Sequence, residues 1–191
     1  MNEPEDLVYI ADYGLLGSNF YWHKYATHGL SKEDILNAGL TDDRVRVSQA
    51  IMDSLVQIDA ELKQKGMRLY IKEGYRSPAL YEIVYKRRSE KYGQEITDRL
   101  FNVVDKPHAQ GKSVDVALWD AEKNQEIFLR RREDGVEALF FGFYKDTSDA
   151  ESKKYHELQL YLTDLMTRRG FRFGGKGEYF HFNHELYQKP I

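Results

Sequence analysis

The chain has 191 residues, with 28 Lys and Arg against 31 Asp and Glu for a formal net charge of −3, 41% hydrophobic and 14% aromatic residues, and no cysteine. That length fits one domain with ample material for a packed core, and the slightly acidic balance gives no global attraction to nucleic acid or an anionic surface. The absence of cysteine excludes disulfides, thiolate ligands and thiol nucleophiles, so any metal must be held by His, Asp and Glu.

Residues 1–40 hold aromatics and glycines without a clean period (ADYGLLGSNFYWHKYATHGL) and read as irregular structure draped over a single domain spanning 1–191. From Thr41 onward Val47, Ala50, Ile51, Leu55, Ile58 and Leu62 recur at three- and four-residue steps, predicting a helix that Gly66 ends. Met67 to Tyr75 alternates as a strand, Pro78 to Tyr92 reads as a second helix stopped by Gly93, and Val114 to Trp119 as a further strand with a hairpin partner over Glu126 to Arg130. Ser148 and Glu151 have the spacing of a capping box opening a helix through Leu158, Tyr161, Leu162 and Leu165, and GEYFHFNH (177–184) reads as a final strand. The order predicts an α+β fold, a small antiparallel sheet with flanking helices. The basic runs at 86–88 and 130–132 are expected on solvated faces. No stretch approaches the ~18 apolar residues of a membrane span, and the opening MNEPEDL is acidic where a signal peptide is basic. The chain is therefore expected to be soluble, in either the cytoplasm or an exported compartment.

In the strand around residue 115, Val114, Val116 and Leu118 share one face, which puts Asp115 on the other. A carboxylate there faces a cleft or needs a partner. His108 lies upstream, with Gly111 between them permitting a backbone turn, and the final strand adds His181 with Glu178 before it. Singly, each has an ordinary structural explanation as a hydrogen-bonded histidine or an edge charge. Together, His108, Asp115 and His181 form a candidate three-ligand site of the catalytic-zinc kind, which keeps a position open for water and lowers its pKa toward ~7. Glu178 suits a general base beside it. His184 should point to the opposite face, and His23, His28 and His156 are assigned surface or supporting roles.

The combination H-x-x-G-x-S-x-D at 108–115, E-x-x-H-F at 178–182 and GYR at 74–76 resembles the zinc-dependent D-alanyl-D-alanine peptidases of the VanX/VanY type. The resemblance implies one Zn2+ on His108, Asp115 and His181, Glu178 as catalytic base, Arg76 stabilising the transition state, and a DD-peptidase/hedgehog-like fold. The chain departs from the family at Lys106, where a serine is common, and at Tyr179-Phe180, where tryptophan is. FGFYKD (141–146) keeps only Gly142 and Asp146 of the dipeptidase branch's MGTxFD, which makes Asp146 a candidate for holding a substrate ammonium. The expected function is hydrolysis of D-alanyl-D-alanine bonds in cell-wall peptides, as a dipeptidase ahead of a DD-carboxypeptidase on longer stem peptides. A non-catalytic zinc-containing binding module is the third reading, and Glu178 with Arg76 argues against it.

Overall fold

The computed structural model describes residues 3–174 and 177–189. Its centre is a mixed sheet in the order β2 (Leu16–Gly17), β4 (Met67–Glu73), β5 (Ser113–Asp120), β8 (His181–His184), β7 (Phe171–Phe173), with β6 (Gln125–Ile127) also paired to β5. All these pairings are antiparallel except that of β2 with β4. One face of β5, through Val114, Val116 and Leu118, is fully buried against Leu55, Ile58 and Leu62 of α3 (Met52–Lys63) and Leu162, Leu165 and Met166 of α6 (Ala150–Thr167). The apolar face thus anchors the sheet on two helices and leaves Asp115 on the other side.

A second core lies on that other side of the molecule. Tyr21 of α1 (Phe20–Lys24), Ile35 of α2 (Lys32–Asn37), and Leu80, Tyr81 and Val84 of α4 (Pro78–Tyr92) pack with Phe101, which follows α5 (Gln94–Leu100). Ser77 caps α4 by accepting from the Leu80 N–H at 3.1 Å, and Pro78 takes the first turn, where no donor is needed. The N-terminal region is therefore a chain of short ordered elements built into the domain.

Several boundaries differ from the periodicity reading: β6 is Gln125–Ile127 rather than Glu126 to Arg130, and β4 ends at Glu73. Arg46–Ser48 is a strand, β3, paired with β1 (Leu7–Tyr9), and the helix begins only at Met52. Val47 is buried by that ladder: pairing with a distant strand overrode a local three-four spacing. Asp149, accepting from the Ser152 N–H at 2.9 Å, caps α6 in place of Ser148, while Glu151 pairs with Arg131 at 2.8 Å. Glu178 pairs with Phe140 in an isolated antiparallel bridge and Tyr179 and Phe180 form a turn, so β8 starts at His181 and Tyr179 does not share its strand.

Candidate functional site

Strand register assembles the site. Asp115 of β5 stands opposite His181 of β8 on one side and, after a bulge between Ile71 and Glu73, opposite Glu73 of β4 on the other. Two carboxylates directly across a ladder repel, and each has its own cationic or imidazole partner. His108 sits in the tight turn Pro107–Gln110, ended by Gly111 at φ 66°, where a Cβ would come within 2.8 Å of the Ser48 nitrogen. Glycine is required there both for the left-handed backbone and for the close approach.

The ligand atoms converge. His108 Nε2 lies 3.2 Å from His181 Nδ1 and 3.5 Å from Asp115 Oδ1, and His181 Nδ1 lies 2.7 Å from Asp115 Oδ1. Donors of a tetrahedral zinc, each ~2.0–2.1 Å from the ion, stand roughly 3.3 Å apart, so two imidazoles and one carboxylate at this spacing fit that metal. His108 Nδ1–H donates to the Gly74 carbonyl at 2.8 Å, which fixes the tautomer and leaves the Nε2 lone pair toward the site. The rear of the His181 ring abuts Gly174, where a Cβ would overlap it. Burial works to raise the Asp115 carboxyl, but the adjacent His108 and His181 outweigh it and hold the group well below the usual carboxylate range.

Glu178, bridged to Phe140 just before the turn leading into β8, is buried and lines the same cavity. That turn is tied to residues 139–141, through Tyr179 N–H to the Leu139 carbonyl at 3.0 Å and Phe141 N–H to the Gly177 carbonyl at 2.9 Å. Arg76 also lines the cavity, but its guanidinium is clamped on both oxygens of the buried Glu73, with Nε to Oε1 at 2.7 Å. It lies 4.4, 4.8 and 4.9 Å from the ring centres of Tyr81, Phe101 and Tyr21. Asp146 sits on an exposed turn and is not among the cavity-lining residues. His184 packs edge-on against Phe171 behind the sheet, as its alternation predicts.

The cavity holds about 790 Å³ and runs from the donor triangle to α1 and α4, past Tyr21, His28 and Arg88 at one end and Phe128, Arg130 and Arg132 at its side. The basic runs are thus split. Arg87 and Arg131 point outward to acidic partners at 3.1 and 2.5 Å, while Arg88, Arg130 and Arg132 face the cavity. Sequence reasoning missed Gly174 and the His28–Arg88 pair, although the glycine cluster ahead of Glu178 was a visible signal for the first.

No family model matches the chain, and no curated protein does. Among solved structures the chain is similar in fold to a carboxypeptidase. The structure of the LdcB LD-carboxypeptidase, which reveals the molecular basis of its peptidoglycan recognition, aligns over 96% of this chain and 69% of that one, at 16% identity and a TM-score of 0.51. A mutant of the VanY D,D-pentapeptidase from a VanB-type vancomycin-resistance cassette, in complex with Zn(II), aligns over 73% and 72%, at 15% identity and a TM-score of 0.47. At these identities the likeness is one of fold.

Proposed function

We propose that this protein is a zinc-dependent peptidase that hydrolyses D-alanyl-D-alanine bonds in peptidoglycan peptides, acting as a carboxypeptidase on stem peptides longer than a dipeptide. The observation that carries the reading is the triangle of His108, Asp115 and His181 donors in one cavity with Glu178. Bound there, zinc supplies Lewis-acid polarisation of the scissile carbonyl and a water of lowered pKa. Glu178 takes the proton from the attacking water and returns it to the leaving amine, a step open to a carboxylate that is not itself a ligand. Arg76, held rigid by Glu73, keeps a fixed positive charge on the cavity wall where the oxyanion develops. Asp115 and both histidines are oriented by their strands and by the Gly74 carbonyl before substrate arrives. The LdcB likeness supports a peptidoglycan peptide as the substrate class.

The dipeptidase expectation rested on the small domain and on Asp146 meeting a substrate ammonium, and an exposed Asp146 that is not among the cavity-lining residues supports the longer substrate. A volume of about 790 Å³ lies in the upper part of the usual range for ligand sites and leaves room beyond two alanines. Mass analysis of products from zinc-loaded protein tests both parts. Release of terminal D-alanine from a pentapeptide ending in D-Ala-D-Ala, with free D-Ala-D-Ala cut more slowly, is the expected result. Preferential cleavage of the free dipeptide would restore the dipeptidase reading, and cleavage of neither would remove the peptidase.

A further inference from the structure

The helical end of the cavity carries polar groups that the proposed chemistry does not use. His28 closes the turn Tyr25–His28 ahead of Gly29 at φ 78°, and its ring lies 5.1 and 5.5 Å from those of Phe20 and Tyr21. Its Nδ1 is 2.9 Å from Arg88 Nη1. A guanidinium only donates, so Nδ1 holds the lone pair and the proton of the neutral ring is on Nε2. That Nε2, on a residue only 8% exposed, and the Nε of Arg88 are both buried without a hydrogen-bond partner among the described residues. Both atoms are donors, and both residues line the cavity.

Charge gives the same direction. Arg87, one position away, pairs with Asp34 at 3.1 Å and Glu90 at 3.2 Å, whereas Arg88 has no carboxylate partner among the described residues and rests 5.9 Å from the Tyr92 ring. Buried donors left unmade are costly, and a ligand that accepts from both relieves that cost. With His28 neutral the pair carries one net positive charge, matched by one carboxylate, and a guanidinium fork suits that planar group. Aromatic walls lower the local dielectric and strengthen the contact. The Tyr21 ring links the two ends, standing 4.9 Å from the Arg76 guanidinium and 5.5 Å from the His28 ring.

We propose that His28 and Arg88 form a carboxylate-binding subsite, at the helical end of the cavity, that takes an acidic group of the peptide whose bond lies at the donor triangle. This rests on the peptidase reading and names the feature by which the enzyme selects its substrate. The carboxylate is either the peptide's own C-terminus or an acidic residue within it.

Calorimetric titration of zinc-loaded Glu178→Gln protein distinguishes these sources without turnover. The probes are a peptide ending in D-Ala-D-Ala with an internal glutamate, its C-terminal amide, and its glutamine analogue. One of the two analogues, each lacking one of the parent's two carboxylates, should bind about 10- to 100-fold more weakly than the parent, the range for a hydrogen bond to a charged group. Arg88→Gln should erase that difference, and Arg88→Lys should recover part of it. His28→Asn, checked for folding by circular dichroism, should narrow it. The His28 Nε2 proton resonance should shift on addition of the acidic peptide alone. Equal affinity for all three peptides would overturn the subsite even where the unmodified enzyme hydrolyses them. Carboxylate-dependent binding that Arg88→Gln abolishes, without hydrolysis by the unmodified enzyme, would instead overturn the peptidase reading and leave the subsite standing.

Discussion

The two ends of the cavity are built by different means. At the donor triangle, three adjacent strands set Glu73, Asp115 and His181 side by side through ladder register, and the one candidate donor off the sheet, His108, is pinned by the Gly74 carbonyl. At the other end, short helices and turns bring His28 to Arg88 with donors left over. A site on a sheet inherits its geometry from backbone pairing, whereas one on packed short helices depends on side chains finding each other.

The largest effect separating the two ends is expected for His108→Ala. It should abolish stoichiometric zinc binding, measured by metal analysis, while Arg88→Gln leaves zinc content unchanged. Equal zinc in the His108 variant and the unmodified protein would take His108 out of the site.

The next tests the pair beneath the triangle. Glu73→Gln strands a buried guanidinium and should cost about 3–5 kcal/mol in denaturant unfolding, more than the double variant Glu73→Gln/Arg76→Gln. A double variant no more stable than the single one would mean that Arg76 is not the group left uncompensated.

At the helical end, burial first and Arg88 second push His28 down to about 4 from its ordinary 6.5. A depressed folded-state value means that the neutral ring contributes stability above pH 6.5, lost as pH falls toward 4 because the unfolded chain takes up the proton more readily. The loss amounts to up to about 3 kcal/mol. Comparing unfolding free energies of the unmodified protein and His28→Gln across pH 4–7 should show a flatter profile for the variant. Parallel profiles would contradict this assignment.

The smallest effect refines the triangle. A Cβ at Gly174 would press on the His181 ring, so Gly174→Ala should weaken zinc binding about 10- to 100-fold, as for loss of a supporting contact around a metal. Unchanged affinity would show that the ring has room to shift.

The same contrast explains what was legible in the sequence. Alternation in β5 put Asp115 opposite its buried valines, and Pro78 to Tyr92 carried its own start and stop signals; both are local properties of the chain. Arg46–Ser48 was hidden because its strand character comes from Leu7–Tyr9, far away in sequence. The short N-terminal elements have no period long enough to detect, so His28 lacked a context, and the basic run at 86–88 gave no hint that Arg88 alone turns inward. Asp146 was suggested by a motif of which only two positions remain; it lies on an exposed turn and is not among the residues that line the cavity.

The central claim is that the triangle holds zinc and that Glu178 moves the proton without binding the metal. Zinc stoichiometry and kcat on a pentapeptide ending in D-Ala-D-Ala, for the unmodified protein and Glu178→Gln side by side, test it most directly. The account predicts one zinc per chain in both and a fall in kcat of at least ~10² in the variant. A variant that loses its zinc, or one that keeps both zinc and turnover, would contradict it.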